Sequence, residues 1–219
     1  MTSIPPASLR ERKKAETWTA IHEAAASLAL DRGLERTTVE AVAERAGISP
    51  RTFFNYFPSK DDAVLGMRAP VLDPALLDDL DPGHELLEQV TRLLLAVART
   101  AYAGGNRGRR RRLVQQYPQL GQRRREHAEE AEELVRRALA DRLAADPPWA
   151  AGSAEEAGAE AAGAEAAGAD ELARMVVLLA GVPLRFALSS PAHAAEAGLT
   201  AEALEASLAL FRRVRRVLP

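Results

Sequence analysis

Apolar residues recur along this chain at intervals of three and four, the spacing of one face of an α-helix, and no strand is evident. The first stripe is made of Trp18, Ile21, Ala25 and Leu28. A broader stripe, which indicates a central helix, is made of Leu86, Leu87, Val90, Leu93, Leu94 and Val97. The pattern therefore predicts an all-α protein with about nine helices.

Two short helical patterns meet across a turn that contains Gly47. The first begins at Thr37 or Thr38, either of which can cap a helix, and Gly47 suits the left-handed residue that commonly ends one. The second begins at Ser49, a good N-cap, and continues with Pro50 at the first helical position, where a missing N–H is tolerated. Helix, glycine turn and helix together predict a helix-turn-helix motif.

The second helix of this motif carries side chains that suit duplex DNA. Phe53 and Phe57 lie four residues apart and are expected to face the protein core, while their neighbours spread over the other faces. Hydroxyl and ammonium groups bind phosphate oxygens, and guanidinium, amide and ring carbon reach base edges. The candidate phosphate ligands are Thr52, Tyr56 and Lys60, and the candidate base contacts are Pro50, Arg51, Phe54 and Asn55.

An alternative interpretation makes the aromatic run from Phe53 to Phe57 only a core cluster beneath a helical turn. That interpretation suits the two phenylalanines at the ends of the run. Asn55 and Tyr56 between them are poor core residues, so it fails for the exposed side of the helix.

The segment from about Trp18 to Met67 resembles the DNA-binding region of TetR-family transcriptional regulators. The matching residues are Ala24-Ala25, Gly33, Thr37-Thr38-Val39, Val42-Ala43, Ala46-Gly47-Ile48-Ser49, Thr52-Phe53-Phe54-Asn55-Tyr56-Phe57 and Ser59-Lys60. The resemblance implies phosphate binding at Thr38, Tyr56 and Lys60, and an approach to bases at Pro50, Arg51, Phe54 and Asn55. Phe54 departs from the many members that place Tyr there, so any hydroxyl contact from this position is lost.

The predicted organisation follows the same resemblance. Residues 1–9 form a disordered arm, 10–60 the helix-turn-helix DNA-binding domain, and 61–219 a ligand-binding and dimerisation domain. Within the last, residues 150–169 are a low-complexity, alanine- and glycine-rich linker. The complete predicted DNA-binding set is Thr38, Ser49, Pro50, Arg51, Thr52, Phe54, Asn55, Tyr56 and Lys60.

A helix is predicted between Lys60 and Leu80, with a break or kink at Pro70 and Pro74. Two amphipathic helices are predicted at the end of the chain, over residues 171–188 and 200–218, and Thr200 is the predicted cap of the second. They indicate a homodimer formed through a four-helix interface, although the same two helices would also serve to complete a monomer core. A TetR-like architecture also implies a small hydrophobic effector, bound in a cavity among the helices of residues 85–103, 107–145 and 171–188. Its candidate ligands, each of which also suits an ordinary core position, are Leu94, Tyr102, Tyr117, Met175 and Phe186.

Five arginines lie between Arg107 and Arg112, and they suit a solvated helix end, a second DNA-backbone contact or a seat for an anionic ligand. From this run onward the chain resembles the ligand domain of the mycofactocin-regulator-like subgroup, which implies long-chain acyl-CoA effectors. A second basic cluster, at Arg10, Arg12, Lys13 and Lys14, suits either phosphate attraction or a solvated helix end.

Composition narrows the class of protein. The 219 residues contain no cysteine and carry a net charge of −2, so any DNA contact has to come from a local basic patch. No metal-ligand spacing, phosphate loop or nucleophile motif is present, which predicts a protein that is not an enzyme and has no cofactor. No transmembrane or signal segment is evident, so a cytoplasmic location is expected.

The leading hypothesis is a TetR-like repressor that an effector releases from a palindromic double-stranded DNA operator. Two alternatives stay open. One is a helical ligand-binding or scaffold protein with a non-functional helix-turn-helix, and the other is a DNA-binding protein without an effector.

Overall fold

The computed structural model describes residues 8–81, 85–102, 106–145, 165–189 and 201–217. Within these ranges the backbone forms ten helices and no strand, apart from a single bridge between Met67 and Tyr102. The predicted all-α class is therefore confirmed. The helices are α1 (Leu9–Arg32), α2 (Val39–Ala46), α3 (Pro50–Phe54), α4 (Lys60–Leu65), α5 (Ala75–Asp78), α6 (Leu86–Thr100), α7 (Arg107–Gln116), α8 (Pro118–Ala145), α9 (Glu165–Ser189) and α10 (Ala201–Val217).

The chain divides into two compact units. The first consists of Met1–Arg68 and Tyr102–Arg125, and the second of Ala69–Ala101 and Glu126–Pro219. The first unit therefore holds α1 to α4, α7 and the beginning of α8. The sequence-based division at residue 60 did not anticipate that α7 belongs with the helix-turn-helix.

The first unit begins with a well-capped helix. Ser8 accepts a hydrogen bond from the amide of Glu11, and the Glu11 carboxylate accepts one from the amide of Ser8, so the pair forms a capping box. Helix α1 consequently starts at Leu9, at the end of the segment expected to be a disordered arm; residues 1–7 lie outside the described residues. Its predicted apolar stripe is buried, with Ile21, Ala25 and Leu28 at most 2% exposed.

Helix α4 is shorter than the helix that the sequence predicted between Lys60 and Leu80. It ends at Leu65, because Gly66 adopts a left-handed conformation with φ +63° and its amide bonds back to the Ala63 and Asp62 carbonyls. The prediction placed the break at Pro70 and Pro74, whereas the glycine stops the helix first. The prediction of a helix from Lys60 to Leu80 is therefore wrong beyond Leu65.

The second unit has one apolar core formed by α6, α8 and α9. Its members include Val90, Val97, Val135, Leu139 and Ala180, all 0% exposed. The side chain of Thr91 donates to the Ala180 carbonyl at 2.8 Å and so joins α6 to α9. The buried Glu88 carboxylate, 2% exposed, accepts a bidentate hydrogen bond from Arg212 and so joins α6 to α10.

Helix α9 differs from its predicted form at its start. It begins at Glu165, so residues 165–169 of the expected linker are helical, and residues 150–164 lie outside the described residues. The helix runs through Pro183, whose carbonyl accepts a 2.7 Å hydrogen bond from the Ser207 hydroxyl of α10. Thr200, the predicted cap of α10, lies outside the described residues.

Candidate nucleic-acid interface

The helix-turn-helix forms through its own capping residues. Thr38, rather than Thr37, caps α2: its hydroxyl accepts the Ala41 amide at 3.2 Å, whereas the Thr37 side chain is buried and donates to the Gly33 carbonyl at 2.9 Å. Gly47 ends α2 with φ +69°, and its amide bonds the Ala43 and Glu44 carbonyls. The turn that separates the two helices is therefore set by local hydrogen bonds.

Ser49 and Pro50 start α3 as the sequence predicted. The Ser49 hydroxyl accepts the Thr52 amide at 3.0 Å and lies 2.8 Å from the Thr52 hydroxyl. Helix α3 spans only five residues, so Asn55 is its C-cap and Tyr56 follows it, although both were expected within the helix. The backbone of Asn55 stays close to helical at φ −75° and ψ −14°, which keeps its side chain in nearly the helical direction.

Two buried phenyl rings support this short helix. Phe53 and Phe57 are both 0% exposed, which confirms their predicted core positions. Their ring centroids lie 6.0 Å apart, and Phe57 lies 5.0 Å from the ring of Trp18 on α1. Aromatic pairs at such distances add to the stability that burial supplies. A five-residue helix would not persist alone, so this aromatic cluster is what holds α3 in place.

The outer side of α3 is open to solvent. Phe54 is 58% exposed, an unusual position for a phenyl ring, and Pro50, Arg51 and Asn55 are also exposed. These four exposed residues lie on one short segment and form the recognition face. A ring, a guanidinium and an amide side by side match the three kinds of contact that base edges in a major groove accept.

The candidate phosphate ligands flank this face and are less exposed. Thr52, Tyr56 and Lys60 are half-buried, while Thr38 and Ser49 are exposed. The Lys60 ammonium donates to the Leu34 carbonyl at 3.0 Å, so one of its three donors is already used inside the unit. The exposed hydroxyl of Thr38 accepts a capping bond, which leaves its own hydrogen able to donate to a phosphate oxygen.

Several residues that hold this unit together were missed by sequence reasoning. Arg109 of α7 forms two hydrogen bonds to Glu23 of α1, at 2.7 and 2.6 Å, and these bonds lower the pKa of the Glu23 carboxyl. Arg110 donates to the Leu65 carbonyl at 2.7 Å and lies over the Tyr102 ring at 4.6 Å. Two of the five arginines in the run from Arg107 to Arg112 therefore contact protein groups inside the first unit.

A buried ion pair provides a further contact between elements of the first unit. Asp62 of α4 is 0% exposed and accepts a bidentate hydrogen bond from Arg123 of α8 at 2.8 and 3.1 Å. The Ser59 hydroxyl donates to the same carboxylate at 2.7 Å. The Ser59-x-x-Asp62 spacing is a visible capping signal, but its arginine partner lies 61 residues away and leaves no local pattern.

A buried histidine of α1 forms a hydrogen bond to α4. His22 is 3% exposed, and its Nδ1–H donates to the Ala63 carbonyl at 2.8 Å. Burial lowers the pKa of His22, although this hydrogen bond opposes the shift. The contact places a proton on Nδ1, because the Ala63 carbonyl can only accept.

The five candidate effector ligands are divided between the two units. Tyr102 and Tyr117 lie in the first unit, where the Tyr117 hydroxyl donates to the Ala29 carbonyl at 3.4 Å. In the second unit Leu94 is 2% exposed inside the apolar core, whereas Met175 and Phe186 are 56% and 50% exposed. Within that unit, therefore, the structure does not bring Leu94 to the surface that carries the other two.

The described part of the second unit also contains a shallow surface groove, and none of the five candidates lines it. Its walls are Glu129, Glu132, Glu133, Arg136, Arg174, Val177 and Leu178. Across the described residues there is no cluster of His, Asp and Glu arranged to hold a metal ion. Among the described helices, none has the length and apolar character needed to cross a membrane.

Comparison with known proteins bears on the first unit. Residues 21–65 match the family described as "Bacterial regulatory proteins, tetR family". Over 57 residues the chain is 44% identical to the HTH-type transcriptional regulator TcmR of Streptomyces glaucescens, a match that covers 26% of this chain and 25% of that protein. The chain is also similar to Salmonella enterica GusR over 90% of its length and 93% of GusR, at 18% identity and a TM-score of 0.37, which does not establish a common fold. Residues 21–65, which contain the helix-turn-helix, are therefore similar to the N-terminal domain of the tetR family of bacterial regulatory proteins.

Proposed function

We propose that this chain is a homodimeric transcriptional repressor that binds a roughly palindromic DNA operator and leaves it when a small hydrophobic effector binds. The observation that carries the proposal is the recognition face: Pro50, Arg51, Phe54 and Asn55 are exposed on a helix that buried Phe53 and Phe57 hold in place. If this surface had no function, burial of the Phe54 ring would increase the stability of the protein.

Each side chain of the recognition face has a specific role in the proposed complex. Arg51 donates to a guanine, Asn55 pairs with an adenine, and the Phe54 ring and Pro50 contact thymine methyl groups. Thr38, Ser49, Thr52, Tyr56 and Lys60 bind phosphates on either side and set the register. The Phe54 ring makes an apolar contact where a tyrosine would also donate a hydrogen bond, so discrimination at that base rests on the methyl group alone.

Exposed apolar residues on the last two helices support the homodimer. On α9 they recur at helical spacing, and on α10 they form a shorter stripe. The two stripes are Met175, Leu178, Leu179, Val182 and Phe186 on α9, and Leu210, Val214 and Val217 on α10, all at least 40% exposed. If α9 and α10 only completed a monomer core, these positions would be covered. A second copy related by a twofold axis would cover both stripes at once and form a four-helix interface.

The effector part of the proposal rests on family resemblance. An effector releases DNA only if it binds the form that cannot engage DNA more tightly than the form that can. The similarity of the C-terminal half to the mycofactocin-regulator-like subgroup makes long-chain acyl-CoA the first class to test. A repressor of a bacterial chromosome acts in the cytoplasm, which is the location proposed here.

The test is selection of binding sites from a random duplex library by the full-length protein. We expect wild-type protein to enrich a palindromic sequence, because each copy of a dimer contacts one half-site. Asn55→Ala should weaken binding to the enriched duplex by about tenfold or more and relax the preference at one base pair, since a good bidentate base contact is worth about 1–3 kcal/mol. Gln115→Ala, an exposed amide on α7, is the matched control and should bind as wild type does.

The outcomes separate the alternatives. No enriched sequence with wild-type protein would reject DNA recognition and favour a ligand-binding or scaffold protein. Enrichment without release by any member of an acyl-CoA chain-length series, and without a co-purified small molecule in native mass spectra, would favour a DNA-binding protein that has no effector.

A further inference from the structure

The first two and a half turns of α1 extend into solvent without covering any part of the protein. Every residue from Ser8 to Glu16 is exposed, and burial begins only at Thr17 and Trp18. The capping box at Ser8 nevertheless stabilises the helix to its first residue. A helix end that contributes nothing to the core, yet is well capped, is a surface available to a partner.

One face of this exposed segment is basic. Arg10 and Lys14 lie eight and four residues before Trp18, so they continue the helix face from which the Trp18 ring contacts Phe57, and Lys13 lies beside them. Glu11 shares this face, but its carboxylate is hydrogen-bonded to the Ser8 amide. In the described part of the chain no carboxylate pairs with Arg10, Lys13 or Lys14. These three cations are called the α1 basic face.

The position of this face relates it to the proposed DNA contact. Phe57, which Trp18 contacts at 5.0 Å between ring centroids, directly follows the proposed phosphate ligand Tyr56. Lys14 and Arg10 lie roughly 6 and 12 Å along the α1 axis from Trp18. C-terminal to Trp18, Glu23 of α1 contacts Arg109 of α7. The α1 basic face lies N-terminal to Trp18, on the part of the helix that is exposed.

We propose that the α1 basic face binds the phosphate backbone of the duplex just outside the base pairs that the recognition face contacts. This inference rests on the proposed function and extends it to a second surface. The chain has a net charge of −2, so its affinity for DNA depends on local cations. The three cations of the α1 basic face lie on the helix whose Trp18 ring packs against Phe57, and they are complementary to a row of phosphates. The contact contributes affinity and no base preference, because phosphates carry no sequence information.

The test compares two charge-matched triple variants of the full-length chain. The first is Arg10→Gln/Lys13→Gln/Lys14→Gln, which keeps the Ser8–Glu11 capping box and uses a residue that favours helix. The control is Arg213→Gln/Arg215→Gln/Arg216→Gln, which removes three exposed charges from α10 in the other unit. Dissociation constants are measured over 50–300 mM KCl for an enriched duplex and for a random-sequence duplex.

The variant removes three phosphate contacts from each copy and six from the proposed dimer. At roughly 0.9 per contact, the slope of log Kd against log salt should become shallower by about 5, and binding should weaken by about tenfold or more at moderate salt. The ratio of enriched to random affinity should stay at its wild-type value, because no base contact is lost. The α10 variant should keep the wild-type slope. An unchanged slope in the α1 variant, or equal changes in both variants, would overturn the inference.

The two proposals fail in different ways. If wild-type protein enriches a sequence and Asn55→Ala loses it, while the α1 variant keeps the wild-type slope, the proposed function stands and the α1 contact is rejected. If wild-type protein enriches no sequence, the proposed function is rejected. In that case the salt slopes on the random-sequence duplex test the α1 contact by themselves, and equal slopes for the wild-type protein and the α1 variant reject it as well.

Discussion

The Asp62 side chain shows how single residues hold the first unit in shape. Its carboxylate is completely buried, which is costly unless every oxygen has a partner. Ser59 and both nitrogens of the Arg123 fork supply those partners, at 2.7 to 3.1 Å. Because removal of one member leaves the other charge buried and unpaired, the pair should be far more sensitive to truncation than an exposed ion pair of the same composition.

Arg123→Met should therefore destabilise the first unit by about 3–5 kcal/mol, the cost of leaving a buried charge without its partner. Arg125→Met is the matched control. Arg125 is exposed, and among the described residues its guanidinium bonds only the Gln122 side chain, so its loss should cost less than about 0.5 kcal/mol. Urea denaturation followed by Trp18 fluorescence, in a Trp149→Phe background, measures both. Equal effects of the two substitutions would contradict the structural role given to the Asp62–Arg123 pair.

Helices α1, α2 and α4 of the first unit all end at glycines with positive φ, and the surroundings of Gly47 and Gly66 differ. Gly47 has φ +69°, and a Cβ built there would meet nothing within 4 Å. Gly66 has φ +63°, and a Cβ there would lie 2.7 Å from Cε1 of the buried His22 ring. Gly47 is thus required only by its conformation, whereas Gly66 is required by its conformation and by the close approach of α1.

Gly47→Ala should destabilise the protein by about 1–2 kcal/mol, the cost of a left-handed conformation for an L-residue. Gly66→Ala should cost about 1–3 kcal/mol more, because the ring of His22 is fixed by its bond to Ala63 and has to shift. Thermal unfolding of the two variants side by side measures the difference. If both lose the same stability, the contact between His22 and α4 is looser than the structure indicates.

At the scale of the whole molecule, the second unit carries exposed apolar stripes on both of its last two helices. Five large apolar side chains on α9 and three on α10 are at least 40% exposed. Isolated exposed apolar residues are ordinary, but a stripe at helical spacing on neighbouring elements marks an interaction surface. Under the proposed function this surface joins two copies of the chain.

Val182→Glu should convert the proposed dimer to monomer at micromolar concentration, since it places a carboxylate from each copy in an apolar interface. Val71→Glu, the same change at a position that is 59% exposed and outside both stripes, should leave the dimer intact. Sedimentation equilibrium measures the mass of each variant. The monomer should also lose most of its affinity for a palindromic duplex while keeping weak half-site binding. If the Val182→Glu protein has the same mass as wild type by sedimentation, α9 does not form the interface.

Much of the fold was predictable because its signals are local. Helix stripes, the Ser49-Pro50 start of α3, Gly47 as the end of α2 and the burial of Phe53 and Phe57 all depend on residues within about four positions of one another. The candidate recognition face was predictable for the same reason, because exposure on α3 follows once the two phenylalanines are known to face inward.

Features that depend on distant partners were decided only by tertiary structure. The arginine run gave no sign that Arg109 would meet Glu23, which is 86 residues away. No local pattern indicated that Arg123 would pair with Asp62. The choice of Thr38 over Thr37 as a cap likewise depends on which hydroxyl the fold buries. By itself the sequence determined the helices and the face that α3 presents, since backbone hydrogen bonds and side-chain period are short-range. Only the tertiary structure decided which charges turn inward, because a buried charge is tolerated only where the fold brings its partner to it.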